Sequence, residues 1–350
     1  MRKLLLILAV EIAMAIVCLS QQIPLDLLGR LTRWDGTHKV LFFGAGIIPT
    51  KERPIRAYAN GIPRGSDIEI FKDFPGIEQI IVDDISAGPN GSTVIAGVLQ
   101  FGSGNNRDVI LTYDSSGALR STWDPEPYWN VAVVADDNSN VFALGSRSDE
   151  NERNARYPLL IRYTPVGGVA AQGLYSTNFR EGSDAIDDND LMAHPILMLW
   201  QDKLLVFAPT ANEVLVCTLS GAIVTRRSLR EVLLAIAKTD KVAEASIHEL
   251  MFADETHVIL NLIERTTEEL ENEKIRHLMD ERLRPRRSYR LDLKTMHFEQ
   301  ISGLTGGKRI MGVVGDQLLL LSPSGKGFVL ETSDIAPADS GVGRDDSKSR

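Results

Sequence analysis

The sequence predicts an all-β chain, a series of small four-stranded antiparallel sheets stacked face to face around a common centre. Three observations carry this expectation. One short hairpin design recurs: Ile110–Thr122 is two alternating strands joined by a turn at Asp114–Gly117, and Leu160–Val169 and Val214–Ile223 repeat it. Tyr289–Phe298 is a looser copy, with Thr295 where the others have glycine. A second hairpin type alternates with the first, as in Val131–Val134 and Val141–Leu144 around Asp136–Asn140. The strands are apolar on both faces, which suits sheets covered on both sides by other sheets.

The second hairpin type occurs five times. Ile80–Ile85 leads through Gly88–Gly91 to Thr93–Gly97, and Ile196–Trp200 turns at Gln201–Asp202 into Leu204–Phe207. Leu250–Phe252 turns at Asp254–Thr256 into Val258–Leu260, and Arg309–Val314 turns at Gly315–Asp316 into Leu318–Leu321. Asp, Asn and Gly in these turns supply positive φ angles or local side-chain bonds, as tight turns require. Together the two hairpins make a unit of strands A-B-C-D. Five units run over 78–123, 129–178, 194–229, 246–303 and 308–332. One such sheet cannot bury both faces alone, so the units are expected to close into a β-propeller.

The last unit ends early. After Phe328–Glu331 nothing strand-like follows, so an N-terminal strand is expected to complete it, with Val40–Phe43 the candidate. Asp67–Phe71 alternates as a half-buried strand. With this N-terminal material the expected count is six four-stranded blades; five is the alternative. Two stretches have helical spacing instead, Leu229–Lys238 and the strongly charged Thr266–Leu283, which Pro285 ends.

The 350 residues are 43% hydrophobic and 24% charged, ample for one large all-β domain. A net charge of -9 repels phosphate backbones, and with 6% aromatics it argues against nucleic acid as a partner. Residues 1–22 read as a signal peptide. Arg2 and Lys3 precede a run from Leu4 to Leu19 that is apolar apart from Glu11, and Cys18–Ser20 offers a cleavage site before Gln21. An uncleaved anchor is the alternative, and either places the body outside the cytoplasm. The expected localisation is secreted or periplasmic, with membrane contact only through an uncleaved N-terminus. Residues 23–335 are then the β domain, and 336–350 a polar tail with the composition of disorder. Two cysteines are present; cleavage removes Cys18 and leaves Cys217, read as a buried apolar residue within a strand.

The phrases Asp136–Ala143 and Tyr113–Leu119 resemble the repeats of six-bladed NHL-type propellers of secreted bacterial proteins. The resemblance covers most of 78–332 and implies architecture only. That superfamily includes binding scaffolds, lyases and metal-dependent lactonases. No motif here carries a catalytic residue over from it.

In an antiparallel unit, successive connections alternate between the two ends of the sheet. The A–B and C–D connections are short: Asp136–Asn140, Gln201–Asp202, Asp114–Gly117 and Leu219–Gly221. The B–C and D–A connections take the insertions: Phe101–Arg107, Arg147–Tyr157, the helix 266–283, Asp124–Asn130, Phe179–His194 and the helix near 229–238. Helical insertions are thus expected in loops of a single face, and loops on a rigid scaffold are where binding resides. On that face Tyr128 and Trp129 are the aromatic binding candidates, and Arg147, Asp187 and His194 the polar ones. Trp123 and Trp129 have a plainer reading as packing between blades.

No histidine pair has zinc spacing, and no metal ligand set is assigned. No cofactor is expected; Asp184, Asp187, Asp188 and Asp190 form the one acidic loop with calcium-like oxygen density. Arg282, Arg284, Arg286 and Arg287 form a basic knot beside an acidic helix. The expected function is a monomeric, non-enzymatic binding module for a protein or glycan at the cell surface. The alternative is a metal-dependent hydrolase or lyase with a central-channel site on the same fold.

Overall fold

The computed structural model describes residues 22–24, 41–43, 57–59, 62–63, 68–87, 92–102, 104–125, 128–147, 158–166, 168–175, 195–267, 286–302, 304, 308–314, 317–324 and 327–334. Among them the strands form six antiparallel sheets, five of four strands and one of three. The first described strand is β1 (Gln22–Pro24), and sheet I holds β2 (Leu41–Phe43), β3 (Ala57–Ala59) and β4 (Ile62–Pro63). Sheet II is β5 (Ile77–Ala87), β6 (Thr93–Phe101), β7 (Asn106–Tyr113) and β8 (Leu119–Trp123). Sheet III is β9 (Tyr128–Ala135), β10 (Val141–Arg147), β11 (Pro158–Tyr163) and β12 (Val169–Tyr175). Sheet IV is β13 (Ile196–Trp200), β14 (Lys203–Ala208), β15 (Glu213–Thr218) and β16 (Ile223–Ser228). Sheet V is β17 (Glu244–Phe252), β18 (His257–Arg265), β19 (Arg286–Asp292) and β20 (Phe298–Gln300). Sheet VI is β21 (Arg309–Val314), β22 (Gln317–Ser324), β23 (Gly327–Asp334) and, outermost, β1 (Gln22–Pro24).

Each unit is an up-and-down meander, and the fold is a β-propeller. The first strands of neighbouring sheets lie side by side, β5 against β9, β9 against β13 and β17 against β21. Alternation sends apolar residues to both faces of the sheets, so a separate core fills each space from sheet II through sheet VI. Val94, Ala96, Ile110 and Trp123 of sheet II meet Val133, Ala143 and Ile161 of sheet III. Leu144 and Leu160 of sheet III meet Leu204, Val206 and Cys217 of sheet IV. Leu205, Val214 and Val216 meet Leu250, Val258 and Leu260 of sheet V, whose Met251 and Ile259 meet Ile310, Leu318 and Leu320 of sheet VI.

A polar side chain at the start of each turn pins its backbone. Asp114 Oδ1 accepts from the Ser116 and Ala118 amides at 2.8 and 3.1 Å. Asp136 Oδ1 accepts from Asn138 and Asn140, each at 2.9 Å. Thr218 Oγ1 accepts from Ala222 at 3.1 Å, and Asp292 Oδ1 from Lys294 and Thr295 at 2.7 and 3.0 Å. These bonds hold the Asp114 carboxyl well below the usual carboxylate range, with its Ser116 hydroxyl bond the largest cause. Gly117 and Gly221 supply the left-handed position, with φ of 78° and 81°. In the fourth copy that position is Met296, at φ 59°, in a turn one residue longer, so Thr295 is not the glycine substitute the spacing implies.

Three local expectations are corrected. The strand completing sheet VI is Gln22–Pro24, not Val40–Phe43, whose residues Leu41–Phe43 pair instead with β3. The stretch Asp67–Phe71 is not a strand: Ile70–Asp73 is a one-turn helix, α1. Ile68 and Ile70 both bury against sheet II, so their spacing serves packing without a strand. Phe101–Arg107 is not an insertion either, because β6 and β7 continue to a tight turn at Gly102–Asn105.

The expected helix near 229–238 is α2, Arg230–Asp240, with Val232, Leu233, Ile236 and Ala237 buried over sheets IV and V. Lys241, left-handed at φ 55°, ends it by donating to the Ala237 and Lys238 carbonyls. Asp240 then ties the helix to sheet V: Arg287 Nη1 bonds Oδ1 at 2.8 Å and the Tyr289 hydroxyl donates to Oδ2. Of the charged stretch Thr266–Leu283, all but Thr266 and Thr267 lies outside the described residues.

Candidate functional site at the insertion-bearing end

The two ends of the propeller differ in kind. At the A–B and C–D end no connection between strands β5 and β22 exceeds five residues. At the other end the connections 148–157, 176–195, 229–243, 266–285 and 301–308 are all longer. Both described helices, α1 and α2, lead into first strands and so lie in D–A connections.

Tyr128 and Trp129 are not loop residues but the first two of β9, because only 124–127 separates sheets II and III. The register sets Tyr128 directly opposite Arg147, the last residue of β10, and Trp129 opposite Ser146. Two of the sequence-derived candidates are therefore cross-strand neighbours where long connections leave sheet III. Tyr128 is half-buried and packs against both the II–III and the III–IV cores. Its neighbour Trp123 is core, stacked at a 40° tilt on Tyr163 with ring centroids 5.7 Å apart. Burial, then the Tyr128 and Asp124 charges, pushes the Tyr163 hydroxyl up to about 12. Asp187 and His194 lie outside the described residues, as do Asp184, Asp188, Asp190, Arg282 and Arg284.

A second feature escaped the sequence. The first strands of sheets II, III, V and VI are interrupted by bulges. The extra residues are Asp83 between Val82 and Asp84, His248 between Ile247 and Glu249, and Met311 between Ile310 and Gly312. A bulge re-aims a side chain and ends regular pairing. Just beyond two of these bulges stand carboxylates at equivalent register, Asp84 opposite Ala96 and Glu249 opposite Asn261. Asp84 Oδ2 accepts from the Val133 amide of the next sheet at 2.8 Å. Glu249 Oε2 accepts from Asn261 Nδ2 at 3.1 Å, and Asn261 Oδ1 accepts from Ser288 Oγ at 2.6 Å. Asp83, although exposed, has its carboxyl crowded by protein and by Asp108 and Asp84, which raises its pKa to about 6. Such a carboxyl takes up and gives back a proton close to neutral pH. Asp83, Asp84 and Asp108 carry no sequence motif; only the register and the bulge bring them to one part of sheet II.

Several other described polar residues bond close by. His257 bonds Asp254 at 3.0 Å within its turn, and His297 bonds Glu299 at 3.3 Å. Arg287 of the basic knot lies between Asp240 and Glu264. Cys217 is fully buried and unbridged, and burial pushes its thiol up to about 12. Among the described residues no three His, Cys, Asp or Glu side chains converge as a metal site, and no helix is long and apolar enough to cross a membrane.

No protein-family model matches the chain, and no curated protein does. Among solved structures it is similar to β-propeller proteins. A protein from Bacteroides fragilis described as exported is 7% identical, with a TM-score of 0.46, over 87% of this chain and 83% of that one. The β-propeller domain of the trilobed protease from Pyrococcus furiosus is 10% identical, with a TM-score of 0.39, over 73% and 68%. Aldose sugar dehydrogenase from Streptomyces coelicolor, in its PQQ-bound form, is 13% identical, with a TM-score of 0.40, over 90% and 98%.

Proposed function

We propose that the chain is an extracytoplasmic binding module that holds a protein or glycan of the cell surface on its insertion-bearing end. One observation carries this reading: Tyr128 and Arg147 stand opposite each other on β9 and β10 where the long connections leave the scaffold. Tyrosine and arginine are among the residue types enriched in binding hot spots, and here both sit on strands instead of loops. In this reading residues 1–22 direct export, 23–335 form a six-bladed domain with β2–β4 as its first blade, and 336–350 are a polar tail. The mature protein is secreted or periplasmic, monomeric, and needs no cofactor or nucleic acid.

The test uses fluorescently labelled protein on isolated cell envelopes and on arrays of purified glycans. Tyr128→Ala and Arg147→Ala should each weaken binding by about tenfold or more, the loss expected of a hot-spot truncation. Thermal unfolding should stay cooperative in both variants, falling only in Tyr128→Ala, which loses packing against two cores. Asn138→Ala, in an exposed turn at the opposite end, should bind as the unchanged protein does. Unchanged binding by both Tyr128→Ala and Arg147→Ala would overturn the proposal. A second reading, a hydrolase or lyase with a central-channel site, is favoured by the raised Asp83 carboxyl beside Asp84 and Asp108. It requires that Asp83→Asn abolish turnover of a substrate, whereas the binding reading predicts that Asp83→Asn leaves envelope binding intact.

A further inference from the structure

The core between sheet V and α2 ends in charge. On β18 Val258, Leu260 and Leu262 belong to it, and on β19 Leu291 and Tyr289. The same alternation brings Glu264 and Arg287 to the end of that face, where Asp240 reaches them from the last turn of α2. Arg287 Nη1 bonds Asp240 Oδ1 at 2.8 Å, and its Nε stands 3.4 Å from Glu264 Oε1. The Tyr289 hydroxyl donates to Asp240 Oδ2. The Glu264 carboxyl lies within hydrogen-bonding reach of the Asp240 carboxyl, and the two side chains are only 14% and 10% exposed. β17 adds no charge there: Ala245 is opposite Glu264, and Glu244 pairs with Arg265 at 3.2 Å.

One guanidinium thus serves two carboxylates. Arg287 hydrogen-bonds Asp240, whereas Glu264 Oε1 is buried and accepts no hydrogen bond. A buried carboxylate oxygen without a donor is costly, and a proton removes the cost. Burial, only partly opposed by the Arg287 charge, raises the Glu264 pKa above its ordinary 4.5, and Asp240 adds to the rise.

We propose that one proton, held between Glu264 and Asp240, latches the C-terminal turn of α2 onto sheet V. With the proton on Glu264, its hydroxyl donates to the Asp240 carboxylate, and Arg287 balances the one remaining charge. When the proton leaves, two buried carboxylates face each other across one guanidinium. The turn that carries Asp240 then yields. Val232, Leu233 and Ile236 hold the earlier turns in the core, but the helix exit rests on backbone bonds, Val242 to the Ala237 carbonyl at 3.0 Å and Ala243 to the Arg265 carbonyl at 2.9 Å. Arg265 is the residue next to Glu264. The latch is complete below the ordinary glutamate pKa and is lost as pH rises through the raised one. It holds whatever the insertion-bearing end binds.

The experiment is hydrogen exchange on the full chain, with each amide's protection corrected for its intrinsic rate and divided by that of Val258–Leu262. From about pH 4 to about pH 8 the amides of Lys241, Val242 and Ala243 should lose about tenfold or more of this relative protection, as when a hydrogen bond to a charged group is lost. In Glu264→Gln, whose amide can donate to Asp240 at either pH, relative protection should be the same at both. Glu244→Gln should respond as the unchanged protein does. Constant protection in the unchanged protein, or a response that persists in Glu264→Gln, would overturn the latch. A measurement without any variant is the carboxyl carbon resonance of Glu264, which should titrate above 4.5 with the same midpoint as the loss of protection. Separate midpoints would also overturn it.

Discussion

Adding a single methyl group at Gly173 should open the space between sheets III and IV. Gly173 lies in β12, and a Cβ there would sit 2.1 Å from the Ser220 carbonyl oxygen, 2.8 Å from the Gly221 Cα and 2.9 Å from the Ser220 carbonyl carbon. All three are backbone atoms, so no side chain can swing aside. The turn they belong to is held by the Gly221 amide on the Thr218 carbonyl and the Thr218 amide on the Ala222 carbonyl, both at 2.9 Å. Gly221 is itself left-handed at φ 81°, and Leu174 beside Gly173 is strained at φ 51°. Overpacking costs about 1–3 kcal/mol, and a backbone clash between two hydrogen-bonded segments belongs at about 3 kcal/mol. An unfolding entropy of about 2.1 cal/mol/K per residue over roughly 300 residues makes this a fall in melting temperature of about 4–5 °C. Differential scanning calorimetry of Gly173→Ala measures it directly. Gly168→Ala is the control, since a Cβ there meets only the Thr164 hydroxyl at 3.4 Å. Equal melting temperatures for the two variants would refute the packing of β12 on the Thr218–Ala222 turn.

Two further predictions concern single side chains. The folded pKa of Asp83 is raised from 3.8 to about 6, so its favourable contribution is complete below about pH 4 and is lost as pH rises through about 6. Asp83→Asn should therefore be more stable than the unchanged protein at pH 7.5, by about 1 kcal/mol after allowing for solvent screening at an exposed side chain, and equal to it at pH 4; urea titrations at the two pH values check this, and a gain at both would contradict it. Cys217, buried with its thiol pushed up to about 12, should resist thiol reagents until the protein unfolds, and the processed chain should melt at the same temperature with and without reductant.

The repeated architecture was legible because each strand pair carries its own signal. Apolar alternation marks β9 and β10, and the Asp136–Asn140 turn between them supplies both the carboxylate and the amides it binds. The missing outer strand of the last sheet was legible too, since nothing strand-like follows Glu331. Which segment supplies it was not. Leu41–Phe43 is an apolar run, whereas Gln22–Pro24 contains a proline that an outermost strand tolerates on its free side. Local propensity favours the first, and only the tertiary pairing selects the second. The length of the β6–β7 arm was hidden because Asn105–Asp108 are polar, as exposed hairpin tips are, and composition alone reads them as loop.

The candidate site divides in the same way. Counting outward from the Asp136–Asn140 turn fixes the pairs from Ala135↔Val141 to Ala132↔Leu144 and would set Trp129 opposite Arg147; a bulge in β9 shifts the register by one and sets Tyr128 there instead. The bulges at Asp83 and His248 do not follow, since a bulge is a property of two strands and neither sequence announces it. Asp84 needed still more: its amide partner, Val133, belongs to the next sheet.

The central claim is that partner binding occupies the end of the propeller bearing the long B–C and D–A connections. Hydroxyl-radical footprinting of the protein bound to cell envelopes, compared with the free protein, tests it most directly. The account predicts protection at Asp124 and Tyr128, in Pro209–Asn212 and along Leu229–Ala243, with unchanged labelling at Asp114–Ala118, Asp136–Asn140 and Thr164–Gly168. Protection confined to those last three turns would place the partner on the opposite end and contradict it.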